Sequence, residues 1–179
     1  AFHGCGDGGE PEWPPSPLRA FQALVAAAAA RAPDSRFASD AAPAFEWLES
    51  LEPPEILTPI GRPASHPYRM FVPNNAGDLV VKSGASGSSN ADFASLRAEK
   101  DVHPVRLVDA DAFSGGNTIR FLWRVSNDVG EFGRRLSLAA GSITHLGWGI
   151  DMAIGHARLI SDQERRALLG NPGLEHWIP

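Results

Sequence analysis

In the stretch T-I-R-F-L-W-R-V (Thr118 to Val125), Ile119, Phe121, Trp123 and Val125 fall on one side. Thr118, Arg120, Leu122 and Arg124 fall on the other. A period of two is that of a half-buried strand, here with an arginine-bearing second face. The period then changes. Phe132, Leu136, Ala139, Ile143 and Leu146 recur at helical spacing, and Gly147 is placed to cap the end of that helix. A further strand is predicted from about Ile150 to Ile160. Strand, helix and strand with short joins imply a right-handed crossover onto one sheet, and so an α+β chain.

Upstream, the segment Lys82 to Lys100 is rich in Ser, Gly and Ala with few large apolar groups, so it reads as a mobile loop or projecting hairpin. Ile56, Leu57 and Ile60, and then Tyr68 to Val72, are short apolar runs between prolines and glycine, the punctuation of strands joined by turns. Pro43 to Leu51 is predicted to be a helix with Phe45, Leu48 and Leu51 inward, stopping before Pro53 and Pro54. A longer helix is predicted from Pro17, with Ser16 as its N-cap, Leu18, Phe21, Leu24 and Val25 on the apolar stripe, and a stop at Arg31 and Pro33. Arg19 and Gln22, one turn apart, lie side by side off that stripe. Glu10 to Pro17, which reads E-P-E-W-P-P-S-P, is a stiff lead-in. The stretch from Ser161 to Pro179, charged and then irregular, is predicted to be a linker, and no repeat at a fixed period is present.

Bulk composition narrows the function class. With 179 residues, 43% of them hydrophobic, the chain can bury one sizeable core, and one compact domain is expected. The apolar block Ala23 to Ala30 is too short to span a membrane. No signal-peptide layout stands near Ala1, which suits a soluble, cytoplasmic portion of a longer chain. Cys5 is the only cysteine, so an internal disulfide is excluded and a thiolate metal cage is disfavoured. A formal charge of −5 argues against holding nucleic acid by bulk field alone. However, all basic residues except Lys82 and Lys100 are arginines, whose planar fork grips phosphate and stacks on bases. High-GC coding produces the same bias.

One segment carries a resemblance that patterning does not supply. E-W-P-P-S-P-L-R (Glu12 to Arg19) followed by Q-A-L-V (Gln22 to Val25) resembles the signature near the start of the fused subunit of type I-U (also called I-G) CRISPR surveillance complexes. A-F-H-G (Ala1 to Gly4), V-P-N-N (Val72 to Asn75) and H-L-G-W-G-I-D (His145 to Asp151) agree with it in order and spacing. In that family a Cas-five-type domain is joined to a Cas-six-type domain, both of the repeat-associated RAMP superfamily. The resemblance implies a ferredoxin-like, RRM-type fold over residues 1–160, its first strand partly missing ahead of Phe2 and residues 82–100 forming a flexible thumb. Residues 161–179 would lead to a Cas-six-type endoribonuclease half. It further implies a prokaryotic subunit that holds the 5′ handle of the CRISPR RNA and caps one end of a Cascade-type complex. Its partners would be the backbone and large subunits, with target DNA met only indirectly.

Single-stranded RNA is held by stacking on aromatic or guanidinium planes and by Arg, amides and main-chain N–H groups on the backbone. Gly147, Trp148 and Gly149 can offer open N–H groups and a stacking face, or can be a helix cap with the tryptophan turned onto the core. Asn74 and Asn75 can read base edges or simply form a turn. Arg120 and Arg124 can line a groove, face solvent or meet a partner subunit. His3, Arg19 and Gln22 complete the candidate RNA-binding set, while Trp13 suits a core anchor better than a base platform.

Catalytic signals are sparse. The six histidines show no close metal-binding pair, G-A-S-G-S from Gly84 lacks the nucleophile-elbow pattern, and no Walker-type phosphate loop occurs, so no catalytic residue, metal or cofactor is assigned. Metal-free RNA cleavage needs only a base and a cation, so a histidine and an arginine brought together by folding would suffice. The domain as a processing ribonuclease, and the domain as a protein-only scaffold, are therefore kept as alternatives.

Overall fold

The structure, a computed structural model, describes residues 1–5, 10–32, 36–73, 97–107, 117–125, 129–147 and 149–178. In chain order the elements are α1 (Pro17–Arg31), α2 (Phe37–Asp40), α3 (Ala42–Glu49), β1 (Glu55–Pro59), β2 (Gly61–Pro63), β3 (Tyr68–Pro73), β4 (Arg97–Val102), β5 (Val105–Leu107), β6 (Arg120–Leu122), α4 (Gly130–Ala140), α5 (Asp162–Leu169) and β7 (Leu174–Trp177).

Helix α1 begins as local chemistry requires. Ser16 is extended and its hydroxyl accepts the Arg19 N–H, while Pro17 occupies the first turn, where a missing donor costs nothing. Ala20, Leu24, Ala27 and Ala28 form its buried face, whereas Leu18, expected on the apolar stripe, is 62% exposed. Leu24 and Ala28 meet Ala44, Phe45 and Leu48 of α3 and Leu136, Ala139 and Ala140 of α4, forming the helical core. Alanines at these crossings let the helix axes approach closely. Phe45 is the hub, with the Phe21 ring edge-on at 5.7 Å and the Phe37 ring stacked at 6.2 Å. Burial of a side chain of the size of Phe45 or Leu48 contributes roughly 1.5–3 kcal/mol each.

Among the described residues three short sheets accompany the helices. β1 is central in one, flanked by β6 and β7; β2 pairs with β5, and β3 with β4. Phe2 bridges Val105 through two main-chain hydrogen bonds of 2.8 and 2.7 Å, so the N-terminal segment lies beside β5. Every pairing among the described residues is antiparallel. The architecture is α+β. No described helix is long and apolar enough to cross a membrane.

Several expectations are corrected here. The predicted crossover is not formed. Strand β6 is confined to Arg120–Leu122, and α4 ends at Ala140 with Gly141 as its cap, before Ile143 and Leu146. β-Branched Ile143 and Thr144 are poor continuations, and the backbone instead bonds in a hairpin: Leu146 N–H to the Asp151 carbonyl and Ala153 N–H to the Thr144 carbonyl, both 2.9 Å. Gly147 therefore caps no helix.

From Ala153 to Ile160 the chain joins no sheet. It lies against α4, where Ser137 Oγ donates to the Ala157 carbonyl at 3.0 Å. A Cβ on Gly155 would fall 2.4 Å from the Ala140 carbonyl oxygen, so only glycine fits there. The 161–179 segment, read as a linker, carries α5 and β7. Ser161 and Glu164 close a reciprocal capping box, and β7 pairs with β1 in the register Ile56↔Trp177, Leu57↔His176, Thr58↔Glu175, Pro59↔Leu174. Arg97–Lys100, read as part of the loop, belongs to β4; the rest of that loop, 82–96, lies outside the described residues.

Candidate functional site

The three outer motif segments, Ala1 to Gly4, Glu12 to Arg19 and His145 to Asp151, meet in space. Asp151, 5% exposed, accepts the main-chain N–H of His3 on both carboxylate oxygens at 3.1 and 3.2 Å. The His3 Nδ1 stands 2.5 Å from Oδ1 of the same carboxylate. A carboxylate taken out of water needs such donors to offset its desolvation. The Asp151 main-chain carbonyl also accepts the Leu146 N–H within the hairpin, so this contact ties the turn to the N-terminal segment.

Gly147 lies within that turn at φ +95°, in the region that favours glycine. A Cβ there would fall 3.6 Å from both the Arg19 Nη1 and the Phe2 ring, so the turn rests on those two side chains. Arg19 is itself fixed: Nε donates to Glu12 Oε2 at 2.5 Å and Nη2 to the Cys5 carbonyl at 3.0 Å. The other Glu12 oxygen accepts the Ser16 N–H at 2.8 Å, which links the proline-rich turn to the helix start. Gly149 is open, with nothing within 4 Å of a Cβ built on it, and neighbouring Ile150 is 46% exposed. Gln22 is exposed on α1, one turn beyond Arg19. Trp13 is half-buried against Gly61, with its ring 6.1 Å from that of Phe2. Asn74, Asn75 and Trp148 lie outside the described residues.

Thus His3, Arg19 and Gly147 come together, with Gly149 on the adjoining open turn. Arg120 and Arg124 do not join them; Arg120 lies in β6 of the three-stranded sheet and Arg124 two residues beyond that strand. There Glu55 Oε1 accepts from Arg124 Nη2 at 3.1 Å and from Arg165 Nη2, and Oε2 pairs with His176 Nε2 at 3.0 Å. Burial pushes the Glu55 carboxyl up. The hydrogen bonds from Arg165 and Arg124, the Arg165 charge and the His176 bond outweigh it and hold the carboxyl below its ordinary value. Arg120 Nη1 is buried without a hydrogen-bond partner among the described residues.

The residues missed by sequence reading are two acids, Glu12 and Asp151, and two basic residues, Arg165 and His176. Glu12 and Asp151 stood inside the quoted motifs, but an RNA site draws attention to cations, and their role is to hold Arg19 and His3. Arg165 and His176 fell in the supposed linker; S-D-Q-E at Ser161 to Glu164 was the available signal of a helix there. Among the described residues no group of three or more His, Cys, Asp or Glu side chains gathers as a metal site.

The segments that meet around Arg19 and Gly147 lie almost entirely within one family match. The family model described as "CRISPR-associated protein, GSU0054 family" matches residues 3–179, which makes the chain a CRISPR-associated protein. It belongs to the GSU0054 family, and the match includes α5 and β7 as well as the three converging motifs. Comparisons with curated proteins and with solved structures returned no match.

Proposed function

We propose that the chain is the Cas-five-type portion of a type I-U (I-G) CRISPR surveillance subunit and that it holds the 5′ handle of the guide RNA at the surface formed by Arg19, Gln22 and the Gly147–Gly149 turn. The observation that carries this reading is the meeting of two N-terminal motif segments with a third, more than 120 residues further on, at one partly open turn. The chemistry suits a single RNA strand. Arg19 is pre-positioned by Glu12 and the Cys5 carbonyl, so little conformational freedom is lost when a phosphate arrives. The exposed turn offers main-chain N–H groups, and Trp148 and the Asn74–Asn75 pair add, by their identities, a stacking ring and amides. In this reading the ferredoxin-like RAMP fold is the scaffold and the backbone and large subunits of a Cascade-type complex are its neighbours. Precursor processing belongs to the Cas-six-type half.

The test is fluorescence anisotropy with labelled single-stranded repeat RNA across a salt series. Binding should weaken linearly in log–log form, and Arg19→Ala should weaken it about tenfold or more, a loss of one charge-assisted contact. Equal affinity of wild type and Arg19→Ala, with folding unchanged, would remove the assignment.

A second reading is favoured by the His3–Asp151 pair, since a carboxylate on Nδ1 is how a general-base imidazole is oriented. It makes the domain a metal-independent ribonuclease. Incubation with repeat RNA in EDTA decides it: a specific cut lost in both His3→Ala and Asp151→Asn supports the enzyme, and intact RNA rejects it.

A further inference from the structure

A cluster of basic side chains gathers around Glu55 at the three-stranded sheet, away from Arg19 and Gly147. Leu57 pairs with Arg120 on one side and with His176 on the other, and directly paired residues share a face of the sheet. Glu55, two residues before Leu57, shares that face by alternation. Arg124 and Arg165 close on Glu55 from the far end of the β6 strand and from α5. The nearest acid on β7, Glu175, pairs with Thr58 and so belongs to the opposite face. Two guanidiniums and an imidazole therefore address one carboxylate, with the Arg120 guanidinium on the same face of the sheet, in a chain whose formal charge is −5.

The donors outnumber what Glu55 can accept. A guanidinium carries five N–H donors, and Arg124 and Arg165 each give Glu55 one hydrogen bond. Arg120 Nη1 is buried with no acceptor among the described residues, an arrangement that costs free energy until an anion or water supplies one. Arg124 is 73% exposed at its side chain and His176 34%, so the cluster is reached from solvent.

We infer that this face is a second phosphate-binding site, composed of Arg120, Arg124, Arg165 and His176. Glu55 is the internal anion that keeps the cations gathered and partly neutralised when no phosphate is present. A phosphate can bridge Arg124 and Arg165 in the bidentate manner that guanidiniums favour and accept from His176 as well. That the phosphate is a backbone phosphodiester of single-stranded RNA rests on the function proposed above; the site itself does not.

The test titrates inorganic phosphate into the full chain while the His176 ring is followed by NMR. Wild type should show a saturable shift in the millimolar range. Glu55→Gln, which keeps the shape and removes the competing charge, should lower the apparent Kd severalfold. The exposed change Arg124→Gln, combined with Arg165→Gln, should abolish the shift. In the RNA salt series the same double change should reduce the slope by about one.

If His176 is unresponsive in wild type and in a folded Glu55→Gln protein, the cluster is a structural clamp and the inference falls, whatever the RNA result. If RNA binds and depends on Arg19 but the double change leaves affinity and slope untouched, this site falls and the Arg19 surface stands. If phosphate moves His176 while RNA fails to bind, the site stands and the nucleic-acid reading falls.

Discussion

Asp151 accepts both the main-chain N–H and the ring of His3, a residue 148 positions away. The contact joins the turn that carries Gly147 to the N-terminal segment beside β5, and it sets the geometry on which the candidate RNA surface depends.

Asp151→Ala removes the acceptor of a partly buried N–H and of the His3 ring. It should destabilise the chain by about 1–3 kcal/mol, the range for stranding a buried donor. Urea denaturation of wild type and variant measures this. A loss below about 0.5 kcal/mol, the scatter of changes at ordinary surface positions, would mean that the pair does not hold the turn.

Gly147 and Gly149 separate backbone need from ligand need. Gly147→Ala forces an L-residue into φ +95° and should cost about 1 kcal/mol or more. Gly149 has open space around it and no positive φ, so Gly149→Ala should stay within about 0.5 kcal/mol. Thermal unfolding compares them, and equal costs would contradict the assigned turn geometry. If the open turn holds RNA, Gly149→Ala should weaken RNA binding despite its small effect on stability.

Acid should loosen the sheet end of the molecule. Glu55 is depressed below 4.5, and exposed Glu131 is depressed to about 2, chiefly by its hydrogen bond to Arg134. A carboxyl depressed in the folded state contributes stability that is complete above its unfolded value and is lost as pH falls through its folded value. Stability should therefore decline as pH drops from about 5 toward 2, and Glu55→Gln should flatten that decline. Denaturant midpoints across this range provide the check; an unchanged slope in Glu55→Gln would show that its ion pairs contribute nothing.

Elements governed by neighbouring residues were legible in sequence, and those governed by distant ones were not. Ser16 and Pro17 announce α1 because capping is settled within one turn. Phe45 and Leu48 mark the buried face of α3 for the same reason. The end of α4 was misjudged because Ile143 and Leu146 happen to continue its spacing, while the hairpin that captures them is fixed by Asp151 and Ala153 further on. L-E-H-W at Leu174 to Trp177 is too short to declare itself, and it becomes a strand only because β1 lies alongside. In the candidate site, Arg19 and Gly147 were legible as residue types. The acids Glu12 and Asp151, which hold Arg19 and His3, and the capture of Arg124 by Glu55 follow from tertiary contacts that no local pattern encodes.

The most direct measurement of the central claim is photo-crosslinking of the full chain to repeat RNA carrying 4-thiouridine in its 5′ handle, with the crosslinked peptides mapped by mass spectrometry. Crosslinks should fall in residues 145–151 and 12–22, and Arg19→Ala should diminish them. Crosslinks confined to the helical layer around Phe45 and Leu136, or none where RNA is bound, would contradict the account.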